Sequence, residues 1–401
     1  MFSISLAGLL VALAVQLHLP RVWGRAGSAV VGTVNIVLAG YALHVIVLDV
    51  VLALVLASIS ANPFTVIPHA VAWALLGLHV FRRHTVVPSV WGRTCAPEAE
   101  AEVDSWRAWK ANVLMRDRAR DAVEVISGLV YRCVDGVSLE VDVYRPRGDN
   151  FCPSLLYLHG GGWVGGHRRM SRFMLHRLAA AGWATFAASY RLAPRFPLPA
   201  ALEDAKAAVA WIRRNGGALG AMPGRPVVWG ESAGGHLAAL LALTAGEPRW
   251  QEGFEEADTF VRGALLFYPV TDLASAFEDD RHPGLRMVLE RLAVRRPFTT
   301  NRDLYRALDP MHCELRDVPP VMLVQGTADA LVPSSMSRRF ARRLEDEGGH
   351  VELIEAPGMP HGFDLFPSPV QERVLGHALR FLDELELSRA LVRGARASQR
   401  G

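Results

Sequence analysis

Hydrophobic residues are concentrated at the start of the chain, where they form three long apolar runs. The runs are Phe2–Leu19, Ser28–Ser58 and Phe64–Phe81. The first is about long enough to cross a hydrocarbon core of roughly 30 Å, and the second is longer than one span needs. Because a long run can be tilted or broken, the pattern predicts about three transmembrane helices in residues 1–82, within a range of two to four.

Charged side chains are almost absent from this region. Residues 1–81 contain Arg21, Arg25 and Asp49 and no other charged side chain, while the whole 401-residue chain is 51% hydrophobic with a mean hydropathy of +0.18. A secretory signal is the alternative for the first run, but no positive charge precedes it and no small-residue cleavage site follows it. Asp49 is an intramembrane functional candidate, although a place near a helix end or inside the helix cluster is the favoured interpretation.

The arginines predict the orientation of these helices. Arg21 and Arg25 lie in the loop after the first run, the next loop carries no charge, and Arg82 follows the third run. With three spans, the positive-inside rule places the residues after 82 on the cytoplasmic side of the inner membrane. If the middle run forms two helices, those residues lie on the opposite side.

Short apolar segments alternate with helical patterns in the rest of the chain. A polar linker over residues 83–104 leads into a domain over residues 105–387, which opens with a helical pattern from Trp106 to Arg120. The predicted strands are Leu139–Tyr144, Leu155–Leu158, Ala184–Ser189, Val227–Trp229, Gly263–Phe267, Val321–Val324 and Val351–Ile354. Their alternation with helices predicts an α/β fold with a mostly parallel central sheet and helices on both faces. The first of these segments alternates apolar and acidic residues, which favours an edge strand.

Two segments depart from this alternation. Residues 273–318 lie between two predicted strands, carry mixed charge and include a helical stretch, Leu285–Leu292. An insertion at this point predicts a cap over the edge of the sheet at which ligands bind. Residues 388–401 form a basic tail that contains Arg389 and Arg393 but no apolar pattern, which is typical of an unstructured segment.

The segment Gly230–Gly234 has the pattern Gly-x-Ser-x-Gly. It follows the predicted strand Val227–Trp229 and precedes a helix-forming run, His236–Thr244. A strand, this pattern and a helix in direct succession predict a nucleophile elbow, in which small residues flank a serine on a strained turn. Ser232 is therefore the candidate nucleophile.

A glycine cluster, His159–Trp163, follows the second predicted strand. Glycines let backbone N–H groups approach a substrate oxygen with no Cβ in the way. Acyl transfer builds negative charge on that oxygen, and preorganised N–H groups stabilise it. We expect Gly161, Gly162 and Ala233 to donate these N–H groups in an oxyanion hole, and His159 to hold the loop in place rather than to transfer protons.

A serine hydroxyl is a weak nucleophile that needs a base, and the base needs an orienting acid. After a nucleophile elbow, the acid and then the base follow in chain order. Asp329 comes shortly after the strand Val321–Val324, and His361 follows the last predicted strand. These positions predict Asp329 as the acid and His361 as the base. Asp272, which follows another strand, is the rival acid.

This combination of motifs resembles the hormone-sensitive-lipase-like family of esterases and lipases. The resemblance covers roughly residues 135–385 and rests on His159–Trp163, Gly230–Gly234, Tyr190–Pro194 with Pro199–Asp204, Tyr268–Asp272 and His361–Phe363. It implies a capped α/β-hydrolase fold, hydrolysis of short- to medium-chain acyl esters and no metal or organic cofactor. It also implies that Ser232 is the nucleophile, Asp329 the acid and His361 the base. Arg195 and Phe196 stand where family members often carry Glu-His, and the apolar N-terminal region lies outside the resemblance.

Together these observations predict a membrane-anchored serine carboxylesterase or lipase that acts on small-molecule or lipid esters. An acyltransferase or amidase could use the same residues, and a non-catalytic receptor could use the same capped pocket. The presence of all three triad residues disfavours the receptor. A net charge of +3 without a basic, aromatic-bearing helix argues against a nucleic-acid partner. Four cysteines without a Cys-x-x-Cys pair argue against a disulfide framework or a metal site.

Overall fold

A computed structural model of the protein describes residues 117, 119–278 and 283–398. The three apolar runs predicted to cross a membrane, the linker and most of the helical pattern over 106–120 lie outside these residues. Among the described residues, no helix combines the length and the apolar character that a membrane span requires.

Eight strands form one sheet. They are β1 Val123–Val134, β2 Val137–Pro146, β3 Ser154–Leu158, β4 Ala184–Ala188, β5 Val227–Glu231, β6 Ala264–Phe267, β7 Val321–Gly326 and β8 Val351–Ala356. The strand order is β1-β2-β4-β3-β5-β6-β7-β8. The pairs β3/β4, β3/β5, β5/β6 and β6/β7 are parallel, whereas β1/β2 and β2/β4 are antiparallel. The predicted mostly parallel sheet is confirmed.

The expectation that Leu139–Tyr144 forms an edge strand is wrong. This segment lies within β2, which pairs with β1 on one side and β4 on the other. The alternation of apolar and acidic residues does not indicate an exposed face here, because Asp142 is fully buried. Its carboxylate is compensated by arginines from a distant loop, a contact that strand periodicity cannot show.

The helices follow the strands as the alternation predicts. They are α1 Arg172–Ala180, α2 Ala200–Asn215, α3 Ala233–Leu243, α4 Ser275–Glu278, α5 Pro283–Met287, α6 Arg302–Ala307, α7 Ser334–Asp346 and α8 Pro369–Ser398. Short 3₁₀ turns occur at Arg120–Ala122, Gly216–Leu219, Pro248–Trp250, Phe298–Thr300 and Pro310–His312, and a π-helical turn at Val288–Ala293. Packing of α1 on β2 and β4, and of α3 on β5 and β6, buries the apolar faces of these helices.

The described part of the inserted segment, residues 273–278 and 283–318, is made of short helices and turns. Its predicted helical stretch, Leu285–Leu292, is divided between α5 and the π-helical turn. Phe277, Phe298 and Tyr305 form an aromatic cluster in which the two phenylalanine rings stack with their centroids 4.2 Å apart. This cluster gives the segment a small apolar core of its own.

The expectation that the C-terminal residues are unstructured is also wrong. Residues after 387 were predicted to be unstructured, but α8 continues to Ser398. Extending an existing helix avoids the cost of nucleation, so residues of good helix propensity can continue it. Ala and Arg, three of each, make up six of the eleven residues 388–398.

Residues 326–331 and 356–373, which include the last residues of β7 and β8 and the start of α8, belong to a different compact unit from the rest of the sheet and from the helices listed before α8. Within it, the loop after β7 is hydrogen-bonded to the loop after β8. Thr327 N donates to Ala356 O and Ala328 N to Met359 O, both at 3.0 Å. A Cβ on Gly326 would lie 2.3 Å from Met359 O, so the approach of the two loops requires glycine at this position.

Lys206 is a fully buried lysine in α2. Its Nζ donates a hydrogen bond to Thr244 O, at the residue that follows α3. The carbonyl end of a helix carries partial negative charge, which stabilises the ammonium. Burial nevertheless disfavours the charged form and lowers the pKa of Lys206 to about 8.

We predict that Lys206→Met changes the pH dependence of stability. An unfolded lysine has a pKa near 10.4, so between about pH 8 and pH 10.4 the unfolded chain holds a proton that the folded chain lacks. The free energy of unfolding of the wild type therefore rises as the pH increases through this window. Below about pH 8 it is lower by the full cost of burying the charge, roughly 3 kcal/mol. Thr244 O keeps a second donor, Glu247 N, at 3.2 Å. The Met variant should exceed the wild type in free energy of unfolding by the largest margin at pH 7, and this margin should decrease towards pH 10.

Urea unfolding of both proteins at pH 7, 8.5 and 10 measures this difference. A Met variant that is less stable than the wild type at every pH would contradict the prediction, because the helix-end contact would then outweigh desolvation.

Candidate active site

Ser232 lies at the junction of β5 and α3. Its backbone has φ 54° and ψ −118°, a left-handed conformation that is uncommon for a residue with a side chain. Two backbone hydrogen bonds hold the turn, from Ser232 N to Phe267 O and from His236 N to Ser232 O, each 2.9 Å long. The turn has the strained strand-to-helix geometry of a nucleophile elbow, as the sequence motif predicts.

The glycines on both sides of Ser232 are required by close backbone packing. A Cβ on Gly230 would lie 2.1 Å from Gly234 O. A Cβ on Gly234 would lie 2.1 Å from Leu158 O, in the neighbouring strand β3. No side chain fits at such distances, so the Gly-x-Ser-x-Gly pattern follows from the geometry of the turn.

The glycine cluster after β3 packs directly against this elbow. A Cβ on Gly160 would lie 3.3 Å from Ser232 Cβ, which places the loop beside the serine. Gly161 and Gly162 have φ values of 123° and 62°, and a Cβ on Gly161 would lie 2.3 Å from Gly165 O. The loop therefore turns sharply next to Ser232 in a conformation that only glycine adopts readily.

The three predicted oxyanion-hole residues belong to this loop and to the start of α3. Gly161 and Gly162 lie in the loop, and Ala233 is the first residue of the helix. The first N–H groups of a helix have no partner within it and form the positive end of its dipole. Donation from these N–H groups to a substrate oxygen stays a prediction.

His159 is built into the loop. It is 2% exposed, its ring stacks on Tyr190 with the centroids 4.3 Å apart, and its Nδ1 lies 2.7 Å from Gly160 O. Tyr190 Oη donates to His159 O at 2.7 Å. Burial lowers the pKa of His159 to about 4, so the ring is neutral near pH 7. These contacts support the expectation that His159 holds the loop.

Asp329 and His361 form a buried pair in the unit that contains segments 326–331 and 356–373. Asp329 Oδ2 lies 2.7 Å from His361 Nδ1, and Asp329 Oδ1 accepts from Leu331 N at 2.9 Å. An ionised carboxylate only accepts hydrogen bonds, so Nδ1 must carry the proton and Nε2 carries the lone pair of the neutral ring. This is the orientation that a general base held by an acid requires.

Asp272, the rival acid, is engaged elsewhere. Its Oδ2 accepts from Arg339 Nη2 at 2.6 Å and its Oδ1 from Ser275 N at 3.0 Å. One carboxylate oxygen is therefore engaged in an ion pair, and the other accepts a hydrogen bond from the start of α4. The two contacts favour Asp329 over Asp272 as the partner of His361.

Two buried polar residues near the elbow were not singled out from the sequence. Glu231, next to Ser232, is 1% exposed and accepts from Ser171 Oγ at 2.5 Å and from Tyr157 Oη at 3.0 Å. The other is His236 in α3, which is fully buried. A charged residue in an otherwise apolar strand was the available signal for Glu231, since such a group is buried only with partners.

Among the described residues, one group of side chains has the spacing of metal ligands. His350, Glu352 and Glu384 have ligand atoms within 4.8 Å of one another. Burial, together with the neighbouring Glu384 carboxylate, raises the pKa of Glu352. His350 and Glu384 are exposed, and none of the three belongs to the predicted triad or oxyanion hole.

Comparisons with known proteins agree with this geometry. Esterase LipQ of Mycobacterium tuberculosis is 36% identical over 229 residues, which cover 57% of this chain and 54% of LipQ. Esterase LipC of the same organism is 36% identical over 245 residues, which cover 59% of this chain and 60% of LipC. The chain thus spans little more than half of the length of these relatives.

A solved structure, the butyrate-bound esterase Est2 of Thermogutta terrifontis, is 28% identical with a TM-score of 0.56. The likeness covers 67% of this chain and 98% of Est2. A family model described as the alpha/beta hydrolase fold matches residues 155–365, which is more than half of the chain. With its elbow at Ser232 and its mostly parallel sheet, this chain belongs to the α/β-hydrolase fold family.

Proposed function

We propose that this protein is a serine carboxylesterase that hydrolyses short- to medium-chain acyl esters through an acyl-enzyme. The observation that carries the proposal is the strained backbone of Ser232, with the glycine loop 160–162 packed against it. The names of the relatives support ester hydrolysis, and the butyrate-bound Est2 supports a short acyl group.

The first half of the reaction makes the acyl-enzyme. Ser232 Oγ attacks the ester carbonyl carbon while His361 Nε2 takes the hydroxyl proton, and Asp329 holds the ring and stabilises its charged form. The carbonyl oxygen becomes an oxyanion, which the N–H groups of Gly161, Gly162 and Ala233 stabilise. The C–O bond to the alcohol then breaks, and His361 returns the proton to the leaving alkoxide, so a neutral alcohol departs.

The second half regenerates the enzyme. Water loses a proton to His361 Nε2 as its oxygen bonds to the acyl carbon, and the same N–H groups stabilise the second oxyanion. The bond from the acyl carbon to Ser232 Oγ breaks, and the serine regains a proton from His361. The products are a carboxylic acid and an alcohol, with no cofactor consumed.

The proposal includes attachment to a membrane through residues 1–82. Its support is the sequence: residues 1–81 contain only Arg21, Arg25 and Asp49 as charged side chains, and the arginines lie in the segments that three spans would place on the cytoplasmic side. Attachment at the cytoplasmic face would hold the hydrolase domain close to lipids or to lipophilic esters dissolved in them. Amphiphilic esters are therefore the favoured substrates.

Hydrolysis of a p-nitrophenyl ester series from acetate to palmitate tests the activity and its chain-length range. Rates should be highest among the short and medium chains. Fluorophosphonate labelling of the same preparation reports whether the serine is activated. A protein that neither reacts with the fluorophosphonate nor cleaves any ester of the series would end the proposal.

We predict that Ser232→Ala abolishes both labelling and ester turnover. Loss of a nucleophile of this kind costs on the order of 10⁴-fold or more in rate. Thermal unfolding and circular dichroism should match the wild type, because Ala occupies the turn as Ser does. Near wild-type turnover in the folded variant would exclude Ser232 as the nucleophile.

We predict that Asp329→Asn lowers kcat by about 10³–10⁴-fold, since an amide at this position favours the wrong tautomer of the base. Asp272→Asn is the matched control: it removes the ion pair with Arg339 and should change kcat less than about threefold. Steady-state kinetics of both variants gives the ranking. The reverse order would assign the acid to Asp272.

We predict that the chain sediments with membranes, with its hydrolase domain on the cytoplasmic side. Two native cysteines after residue 82 report the side, Cys95 in the linker and the exposed Cys133 in β1. A membrane-impermeant maleimide should leave the protein unlabelled in intact cells and label it after permeabilisation. Labelling in intact cells would place the domain on the outer side.

A further inference from the structure

His236 connects two parts of the proposed active site. It lies in α3, one turn after Ser232, and is fully buried. Its Nδ1 lies 3.2 Å from Trp163 Nε1, and the two rings meet edge to face with centroids 5.1 Å apart. Its Nε2 lies 2.8 Å from Leu308 O in the inserted segment 273–318.

The two partners leave His236 a single protonation state. An indole N–H only donates hydrogen bonds and a backbone carbonyl only accepts them. Nδ1 must therefore accept from Trp163, and Nε2 must donate to Leu308 O. A second proton on the ring would set two donors against each other. Burial lowers the pKa of His236 to about 4, which keeps the ring in this neutral form near pH 7.

Trp163 immediately follows the two glycines that are proposed to donate to the oxyanion. It is 2% exposed and has φ 62°, and its carbonyl accepts from Ala193 N at 2.9 Å. The loop backbone at Trp163 is thus held on one side by Ala193, and its side chain on the other side by His236. Glycines in a sharp turn supply little rigidity of their own, so these contacts of Trp163 contribute, with the packing of Gly160 against Ser232, to the placement of the loop amides.

His236 itself belongs to the helix whose first residue is Ala233, the third proposed donor. The hydrogen bond between Trp163 and His236 therefore links the two structural elements that must supply N–H groups to the same oxygen, in addition to the direct packing of Gly160 against Ser232. Oxyanion donors act only within a narrow range of distances, and a shift of about 1 Å can cost about 10²-fold in rate.

We propose that His236 is a positioning residue that fixes the distance between the glycine loop and the start of α3 through its hydrogen bond with Trp163. The inference rests on the proposed esterase function and goes beyond it, because it assigns the geometry of the oxyanion hole to a side chain outside the triad and the hole. The contact with Leu308 O holds the ring proton on Nε2, which leaves Nδ1 as an acceptor for the indole N–H.

Two substitutions separate the contacts of the ring. In His236→Asn the amide oxygen takes the place of Nδ1, so it can still accept from Trp163 but cannot reach Leu308 O. In His236→Gln the longer amide reaches the place of Nε2, so the bond to Leu308 O survives and the acceptor for Trp163 is lost.

With p-nitrophenyl butyrate, the Gln variant should lose about 10–100-fold in kcat. The Asn variant should stay within about threefold of the wild type, with KM little changed in both.

Trp163→Phe tests the other end of the same bond. It keeps an aromatic ring but removes the indole N–H, so kcat should fall by about as much as in His236→Gln. Trp250→Phe is the control, because Trp250 is also buried and its Nε1 has no hydrogen-bond partner in the described part of the chain. That control should retain wild-type kcat.

The double variant Trp163→Phe/His236→Gln gives the decisive comparison. If the two residues act through one bond, the double variant should be no slower than the slower single variant. Three results would each overturn the inference and leave the proposed esterase function standing. The first is a double variant whose kcat falls by the product of the two single losses. The others are equal kcat values for the Asn and Gln variants, and wild-type kcat in Trp163→Phe. A wild-type protein that cleaves no ester would instead overturn the proposed function, and this inference with it.

Discussion

The left-handed backbone of Ser232 is the constraint on which the arrangement of this site depends. A residue with a side chain pays roughly 1–2 kcal/mol to adopt this conformation, so its surroundings must hold it there. They do so through the hydrogen bond that Ser232 N donates to Phe267 O, at the end of β6, and through the first turn of α3. Because these contacts bring three backbone segments together, Gly230 and Gly234 have no space for a Cβ. The serine that is proposed to react is therefore rigid before any substrate arrives.

Buried polar contacts extend this rigidity to the loop that faces Ser232. After its last glycine, the loop continues into Arg168 and Arg169, which form ion pairs with the buried Asp142 of β2 at 3.0 and 2.5 Å. Burial alone would raise the pKa of Asp142, but the hydrogen bonds from Arg169 and from Gly128 N, together with the nearby Arg168 guanidinium, lower it below its ordinary value. A carboxylate that stays ionised in the interior binds both arginines strongly, and so fixes the end of the loop to the sheet.

The inserted segment 273–318 is held at its base in a similar way. Asp309 is 1% exposed and accepts hydrogen bonds from Leu273 N and Ala274 N at 3.0 Å, so it joins the last part of the insertion to its first residues. The adjacent residue, Leu308, supplies the carbonyl that His236 binds. The segment is therefore joined to the elbow helix by specific hydrogen bonds as well as by apolar packing.

The sequence by itself determined the features that depend on short-range patterns: seven of the strands, the helix α3, and the elbow at Gly230–Gly234. These follow from periodicity and from residue sizes along a few consecutive positions. Only the tertiary structure decided that β1 lies at the edge in place of β2, that Asp142 and Glu231 are buried with partners, and that His236 links Trp163 to Leu308. Each of these depends on a contact between residues far apart in the chain, such as the pairing of β2 with β4, and the sequence does not show which distant partner a residue has. The physical reason is that a buried polar group is stable only when distant segments bring it a partner, and that meeting exists only in the folded chain.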